Sequence, residues 1–200
     1  HWELPEEELV DKARLIVQGN IRVTKEGKIL LEKWFKRKGD YWAPVSSMSG
    51  LRLVVSCSVI QELELETIDL DSGYLQTETE QADYYIELDQ AIMDSLEEDW
   101  QRAIREAAAL DPEGKVLFPV HGNIYGDPGA GTSFITAFQA AIVDCGWARC
   151  GGDPAIFYKR SKPSGKIQVL SSYVDDLSAG ICRLDQSLWQ ALRARGWKFE

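Results

Sequence analysis

Tyr173-Val174-Asp175-Asp176 follows the strand-like run 167–172, and Asp69 closes another run of alternating apolar and acidic residues about a hundred positions earlier. Adjacent carboxylates at a hairpin tip, with a third carried beside them by the fold, can hold two Mg²⁺ ions about 3.5–4 Å apart. Ions so held clamp the attacking and leaving oxygens of a phosphoryl transfer. The plain alternative is a solvated turn, since Asp is well suited to turns.

The elements that must position these residues are read from periodicity. Leu63, Leu65, Thr67 and Asp69 fall on one strand face and Glu64, Glu66 and Ile68 on the other, followed by a tight Asp71-Ser72-Gly73 turn and a short helix. After Ala43-Pro44-Val45, whose proline opposes helix before it, Ser46 or Ser49 can cap a helix over about 49–61. Residues 84–88 and 116–120 read as strands. Residues 91–110 read as one amphipathic helix, with Ile92, Leu96, Trp100, Ile104 and Ala107 or Ala108 as its core-packing stripe. A glycine-rich loop spans 126–131, and Thr132 caps a helix that ends at Cys145-Gly146. Strands at 156–159 and 167–174 pair across 161–165, and a last helix from about Asp185 carries Leu188, Trp189, Leu192 and Trp197. At the other end of the chain, runs 12–19 and 28–34 form a basic hairpin. Helices alternating with non-adjacent strands predict an α+β fold, an antiparallel sheet with helices packed on one face.

Two hundred residues with 44% hydrophobic content suffice for one good core or two small lobes. The first residue is His1 rather than Met, and the final residues stop inside an amphipathic pattern, so a piece of something longer is expected. No apolar run reaches membrane-spanning length and no basic-then-apolar leader is visible, which points to an intracellular setting with no membrane partner. Cys57, Cys145, Cys150 and Cys182 contain no C-x-x-C pair, and with only His1 and His121 they lack zinc-finger spacing, so they read as reduced packing residues. The net charge of −10 argues at first against a nucleic-acid partner. Its distribution says more: residues 11–38 hold nine Lys or Arg against three acids, whereas residues 61–113 hold seventeen acids against two Arg. A basic first lobe can follow a phosphate backbone; a solvated charged face is the competing reading.

Asp69 is followed by Gly73, Tyr74 and Leu75, so an aromatic ring stands just past a tight turn, where it can floor an incoming sugar and exclude a 2′-hydroxyl. Lys12-Ala13-Arg14-Leu15-Ile16-Val17, Ala43-Pro44-Val45, Asp69 to Leu75, Asp153-Pro154 with Phe157, and Tyr173 to Asp176 with Gly180 occur in that order. They resemble K-A-R-L-V, A-P-V, D-V-x-x-A-F-L, D-P-x-x-F and Y-V-D-D, motifs of the reverse transcriptase domain of copia-type retrotransposons.

The resemblance covers roughly residues 11–197. It implies the fingers and palm of a right-hand polymerase, with a basic fingers-like hairpin at 11–45 and mainly palm at 46–197. It further implies RNA-directed DNA synthesis from deoxynucleoside triphosphates on a primed RNA or DNA template, with Mg²⁺ or Mn²⁺, in a cytoplasmic virus-like particle. The thumb, ribonuclease H and integrase would be other parts of the same polyprotein. Asp69 and Asp175 would be the bridging metal ligands. Because successive strand residues face opposite ways, Asp176 takes a secondary, nearby role. Tyr74 would discriminate the sugar, with Gly73 giving room beneath the ribose; an ordinary buried tyrosine is the alternative. Lys12 and Arg14 would neutralise the triphosphate or contact template phosphates.

The chain departs from the family at Tyr125-Gly126-Asp127-Pro128-Gly129-Ala130-Gly131-Thr132, where Y-G-L-K-Q-A-P-R is usual. Gly129 and Gly131 would still let backbone approach a nucleotide closely. Gln18 and Asn20 replace an Arg and an aromatic, and residues 91–113 look like an added helix. A catalytically degenerate nucleic-acid-binding relic of the same fold is therefore a second reading. A third is a P-loop-like nucleotidase, since residues 126–133 nearly fit G-x-x-x-x-G-K-[ST], although Thr132 stands where the lysine belongs. His121 is a possible proton donor to pyrophosphate or simply a loop histidine.

Overall fold

The structure, a computed structural model, describes residues 16, 21–23, 29–31, 44–78, 85–88, 90–109, 116–127 and 129–199. Its elements are β1 (Ile21–Val23), β2 (Ile29–Leu31), α1 (Met48–Ile60), β3 (Glu64–Asp69), a 3₁₀ turn (Gly73–Gln76), β4 (Tyr85–Glu87), α2 (Gln90–Ser95), α3 (Glu98–Ala108), β5 (Leu117–Pro119), α4 (Ala130–Asp144), β6 (Ala148–Arg149), β7 (Ile156–Arg160), β8 (Ile167–Tyr173), β9 (Asp176–Ile181) and α5 (Ser187–Ala194). The fold is mixed α/β. Its main sheet is antiparallel, in the order β3-β9-β8-β7-β6, and β1–β2 and β4–β5 are separate two-stranded ribbons.

Alternation along the strands divides the core in two. Phe157, Leu170, Leu177, Ala179 and Ile181 turn to one face and join Phe134, Phe138 and Ile142 of α4 and Leu188, Trp189 and Leu192 of α5. Each fully buried Phe or Leu there contributes about 1.5–3 kcal/mol. Ile156 and Val169 turn to the other face and meet Val54 of α1. Helices therefore cover both faces, not one as the sequence suggested; β8 carries buried side chains on both sides because it is central.

Local polar groups explain the other departures from expectation. Ser47, not Ser46 or Ser49, caps α1: its hydroxyl accepts from Gly50 N–H at 3.0 Å, while Ser46 N–H is used by the Ser172 carbonyl. The single helix expected over 91–110 is two. Ser95 Oγ donates to the Ile92 carbonyl, and Gln101 Nε2 donates to the carbonyls of Asp94 and Leu96, so the end of α2 is satisfied without continuing. Glu98 and Asp99 then suit the N-terminus of a new helix, and Trp100, expected in the core, is 62% exposed. At α4 the cap is Gly129 rather than Thr132, and the Asp127 carboxylate accepts the Gly129 N–H at 2.8 Å. Trp197 lies beyond α5 and packs edge-on against Phe138.

The basic ribbon pairs Ile21–Val23 with Ile29–Leu31, later in its first arm than the expected 12–19. Lys12 and Arg14 lie outside the described residues. Cys57, Cys145, Cys150 and Cys182 are all free thiols. Among the described residues no helix is long and apolar enough to cross a membrane.

Where α1 crosses β9 there is no space for a side chain at Gly180: an added Cβ would press into Ser58 Oγ. Gly180→Ala is expected to cost about 1–3 kcal/mol by overpacking, measured as a lower urea midpoint at constant slope. Adding Ser58→Ala, which removes the crowding oxygen, should recover part of that loss; no recovery would contradict the contact.

Candidate active site

The acidic tip is built by register. In the β8–β9 hairpin Tyr173 pairs with Asp176, leaving Val174 and Asp175 as a two-residue turn. Such a turn requires positive φ at its first central residue, and Val174 sits at φ 54°. A β-branched side chain is rare there, at a cost of about 1–3 kcal/mol that the surroundings must hold in place. They do so through the residue that follows β3: the Leu70 N–H donates to the Asp175 carbonyl at 3.0 Å.

On the other side of β9, Asp69 pairs directly with Asp176. Opposed side chains on one sheet face have Cβ atoms about 4.5–5.5 Å apart, and like charges so placed repel. Partial burial first, then the charges of Asp175 and Asp69, push the Asp176 carboxyl above the ordinary aspartate value. Asp176 is nevertheless exposed, so water screens much of this repulsion. Asp175 stands between this pair and the 3₁₀ turn: a Cβ at Gly73 would lie 3.3 Å from the Asp175 Cβ. The fold thus gathers Asp69, Asp175 and Asp176, with Asp176 rather than Asp175 as the direct cross-strand neighbour of Asp69.

The donor chemistry fits a hard cation. All three groups are carboxylates, the ligand type of Mg²⁺ and Mn²⁺, and their mutual repulsion is what a divalent ion would relieve. Among the described residues no three His, Cys, Asp or Glu side chains close into a metal cage. Open pairs suit Mg²⁺, which is commonly held by one or two carboxylates plus substrate phosphates and water.

Tyr74 borders the tip on the turn side. Ser72, at φ 50°, swings the chain into the turn, and Tyr74 stacks on Tyr125 at 4.9 Å and leans on Phe134 at 5.4 Å. Burial first, then the Asp175 carboxylate and Tyr125, push its hydroxyl above the ordinary phenol value. Gly73 is buried, and an added Cβ would meet Phe134 Cζ at 3.0 Å; its missing side chain is thus taken up by Phe134 and Asp175. At Gly131 the same atom would come 3.4 Å from Tyr74 Oη, and at Gly129 3.4 Å from the Asp127 carboxylate, so this loop lies against the Tyr74 ring.

Asn123 was not singled out in the sequence, and Asp153 was singled out without its role. Buried Asn123 donates to Thr77 Oγ1 at 2.6 Å and through its backbone to the Thr77 carbonyl, tying the 3₁₀ turn to the segment before the glycine loop. Asp153 accepts from both the N–H and the hydroxyl of Ser47. This fixes the start of α1, which walls a cleft of about 530 Å³ beside the tip, lined by Ser46, Leu51, Thr67, Asp69, Tyr173 and Asp176 among others. The motif that reads D-P-x-x-F therefore serves this clamp and, through Phe157, the core.

Phosphate-loop geometry is absent among the described residues. The strand before the glycine loop, β5, belongs to an antiparallel ribbon with β4, not to a parallel sheet feeding α4. His121 is exposed. No protein-family model matches the chain, and no curated protein or solved structure matches it.

Two substitutions test this arrangement. Burial alone would raise the Asp153 carboxyl, but the Ser47 and Ala155 N–H groups and the Ser47 hydroxyl outweigh it and hold it below the ordinary aspartate value. That stabilisation is complete above the unfolded-state value and fades as pH falls through the lower folded-state value. Asp153→Asn should cost about 1 kcal/mol near neutrality and less toward about pH 2 in urea titrations; a difference independent of pH would contradict the clamp. In chelating buffer Asp176→Asn should be more stable than the unsubstituted chain by about 0.2–1 kcal/mol, a gap that added Mg²⁺ narrows. A less stable variant would argue against repulsion at the tip.

Proposed function

We propose that this chain is the fingers-and-palm part of a copia-type RNA-directed DNA polymerase, joining deoxynucleotides to a primer by two-metal nucleotidyl transfer. The observation that carries the reading is the register that sets Asp69 opposite Asp176, with Asp175 beside Gly73 of the turn that bears Tyr74. Mg²⁺ or Mn²⁺, when bound, would supply Lewis acidity toward the primer hydroxyl and neutralise triphosphate charge. Asp69 at the end of β3 and Asp175 in the β8–β9 turn would hold that charge, and Asp176 would add a third carboxylate on the side of the 530 Å³ cleft. Tyr74 bounds the sugar. Lys12 and Arg14 meet triphosphate or template phosphates, and the thumb, ribonuclease H and integrase are the expected polyprotein partners.

A catalytically degenerate relic is the second reading, favoured by one observation. The Tyr74 ring is stacked against Tyr125, beside a loop lacking the Gln, Pro and Arg of the motif it resembles.

Primer extension separates the two. With Mg²⁺ or Mn²⁺ and a primed template, single-nucleotide addition is expected, and Asp69→Asn and Asp175→Asn should each lower it by about two to three orders of magnitude. Activity that survives Asp175→Asn would dismiss the two-metal assignment; tight template binding without any extension would favour the relic.

A further inference from the structure

The segment after α5 returns to the site and is gripped there by one side chain. Gln76, last residue of the 3₁₀ turn that carries Tyr74, donates from Nε2 to the carbonyls of Asp71 at 2.5 Å and Lys198 at 2.8 Å. Its Oε1 accepts the Lys198 N–H at 2.7 Å. An amide side chain thus reads both backbone groups of a residue 122 positions away, as a neighbouring strand would. The backbone joins in: Asp71 N–H donates to the same Lys198 carbonyl at 3.1 Å, and Leu70 bridges Phe199 in antiparallel fashion.

Apolar contacts seat the same strap. Trp197 meets Phe138 and Phe134 edge-on, at 4.9 and 6.2 Å, and Phe134 is the ring under Tyr74. Phe199 meets Trp189 at 5.8 Å, with the Arg193 guanidinium over its face at 4.4 Å. The turn bearing Tyr74 is therefore held from one side by Asn123 through Thr77 and from the other by the strap through Gln76.

We infer that Gln76 is a positioning residue: by locking the strap 197–199 to the 3₁₀ turn, it fixes where the Tyr74 ring stands beside the acidic tip. The hydrogen bonds, not the bulk of the side chain, carry this role. Losing them frees the turn to shift relative to Asp175 while β3, β8 and β9 keep their register. The consequence for nucleotide binding rests on the polymerase reading; the clamp itself does not.

The test compares Gln76→Met, which keeps the length and apolar bulk, with Gln76→Ala in the whole chain. Both are expected to speed amide exchange at Lys198 by about ten- to a hundredfold, the loss of one to two net hydrogen bonds, with exchange in β8 unchanged. Both should weaken the nuclear Overhauser contacts between the Tyr74 and Tyr125 rings. In extension assays both should raise KM for the incoming nucleotide severalfold with kcat preserved, the signature of lost uniform binding. Unchanged Lys198 protection would overturn the clamp, and so would intact ring contacts in a variant whose Lys198 amide is deprotected. Wild-type ring contacts in Gln76→Met alone would assign the role to bulk and overturn it as well. If the unsubstituted protein extends no primer, the polymerase reading fails, while exchange and ring contacts still decide the clamp.

Discussion

The pairing of β3 with β9 is the constraint on which the rest depends. It sets two carboxylates, Asp69 and Asp176, against each other on an exposed end of the sheet, an arrangement that costs free energy on its own terms. It persists because the same register turns Leu177 into the core beneath α4 and packs Ile68 against it. A slip of one residue would exchange the faces, exposing the apolar set and burying the acids. Repulsion at the tip is thus sustained by burial a residue away, the pattern expected where a site is organised for a ligand rather than for stability.

From that pairing the remaining geometry follows. The hairpin between β8 and β9 must turn in two residues, which places Val174 in a left-handed conformation and Asp175 in the turn. Gly73 then permits Phe134 and Asp175 to close around the 3₁₀ turn, and Tyr74 fills the space between the tip and the glycine loop. Two clamps built from polar side chains hold the periphery, Asp153 on the start of α1 and Gln76 on the strap behind the turn. Asp153 holds the N–H and hydroxyl of Ser47 and Gln76 holds backbone groups, so both fix position from outside the tip.

Much of this was legible in the sequence, and the parts that were not share a cause. The strands around Asp69 and Asp175, the turn at Ser72, the helix ending near Asp144 and the start of the last helix carry periodic apolar residues and local turn chemistry, which act over a few residues. The break after Ser95 was missed because Gln101 satisfies the end of α2 through its side chain, a contact that periodicity does not register. The two-sided layering was missed because β8 is apolar or small on both faces, so alternation gives no sign of an open side. The direct opposition of Asp69 to Asp176 depends on pairing register between distant strands, and Gln76 with Lys198 leaves no spacing signature at all. The difference at residues 126–132 from the motif that the sequence otherwise resembles was plain in the sequence, whereas the stacking of Tyr125 on Tyr74 emerged only from the fold.

The most direct measurement is a Mn²⁺ titration followed by electron paramagnetic resonance, with the unsubstituted chain and with Asp69→Asn. If Asp69 shares a divalent cation with a neighbouring carboxylate of the tip, the unsubstituted protein binds Mn²⁺ and the substitution weakens that binding by about tenfold or more. Equal affinity in the two proteins would contradict the account at its centre.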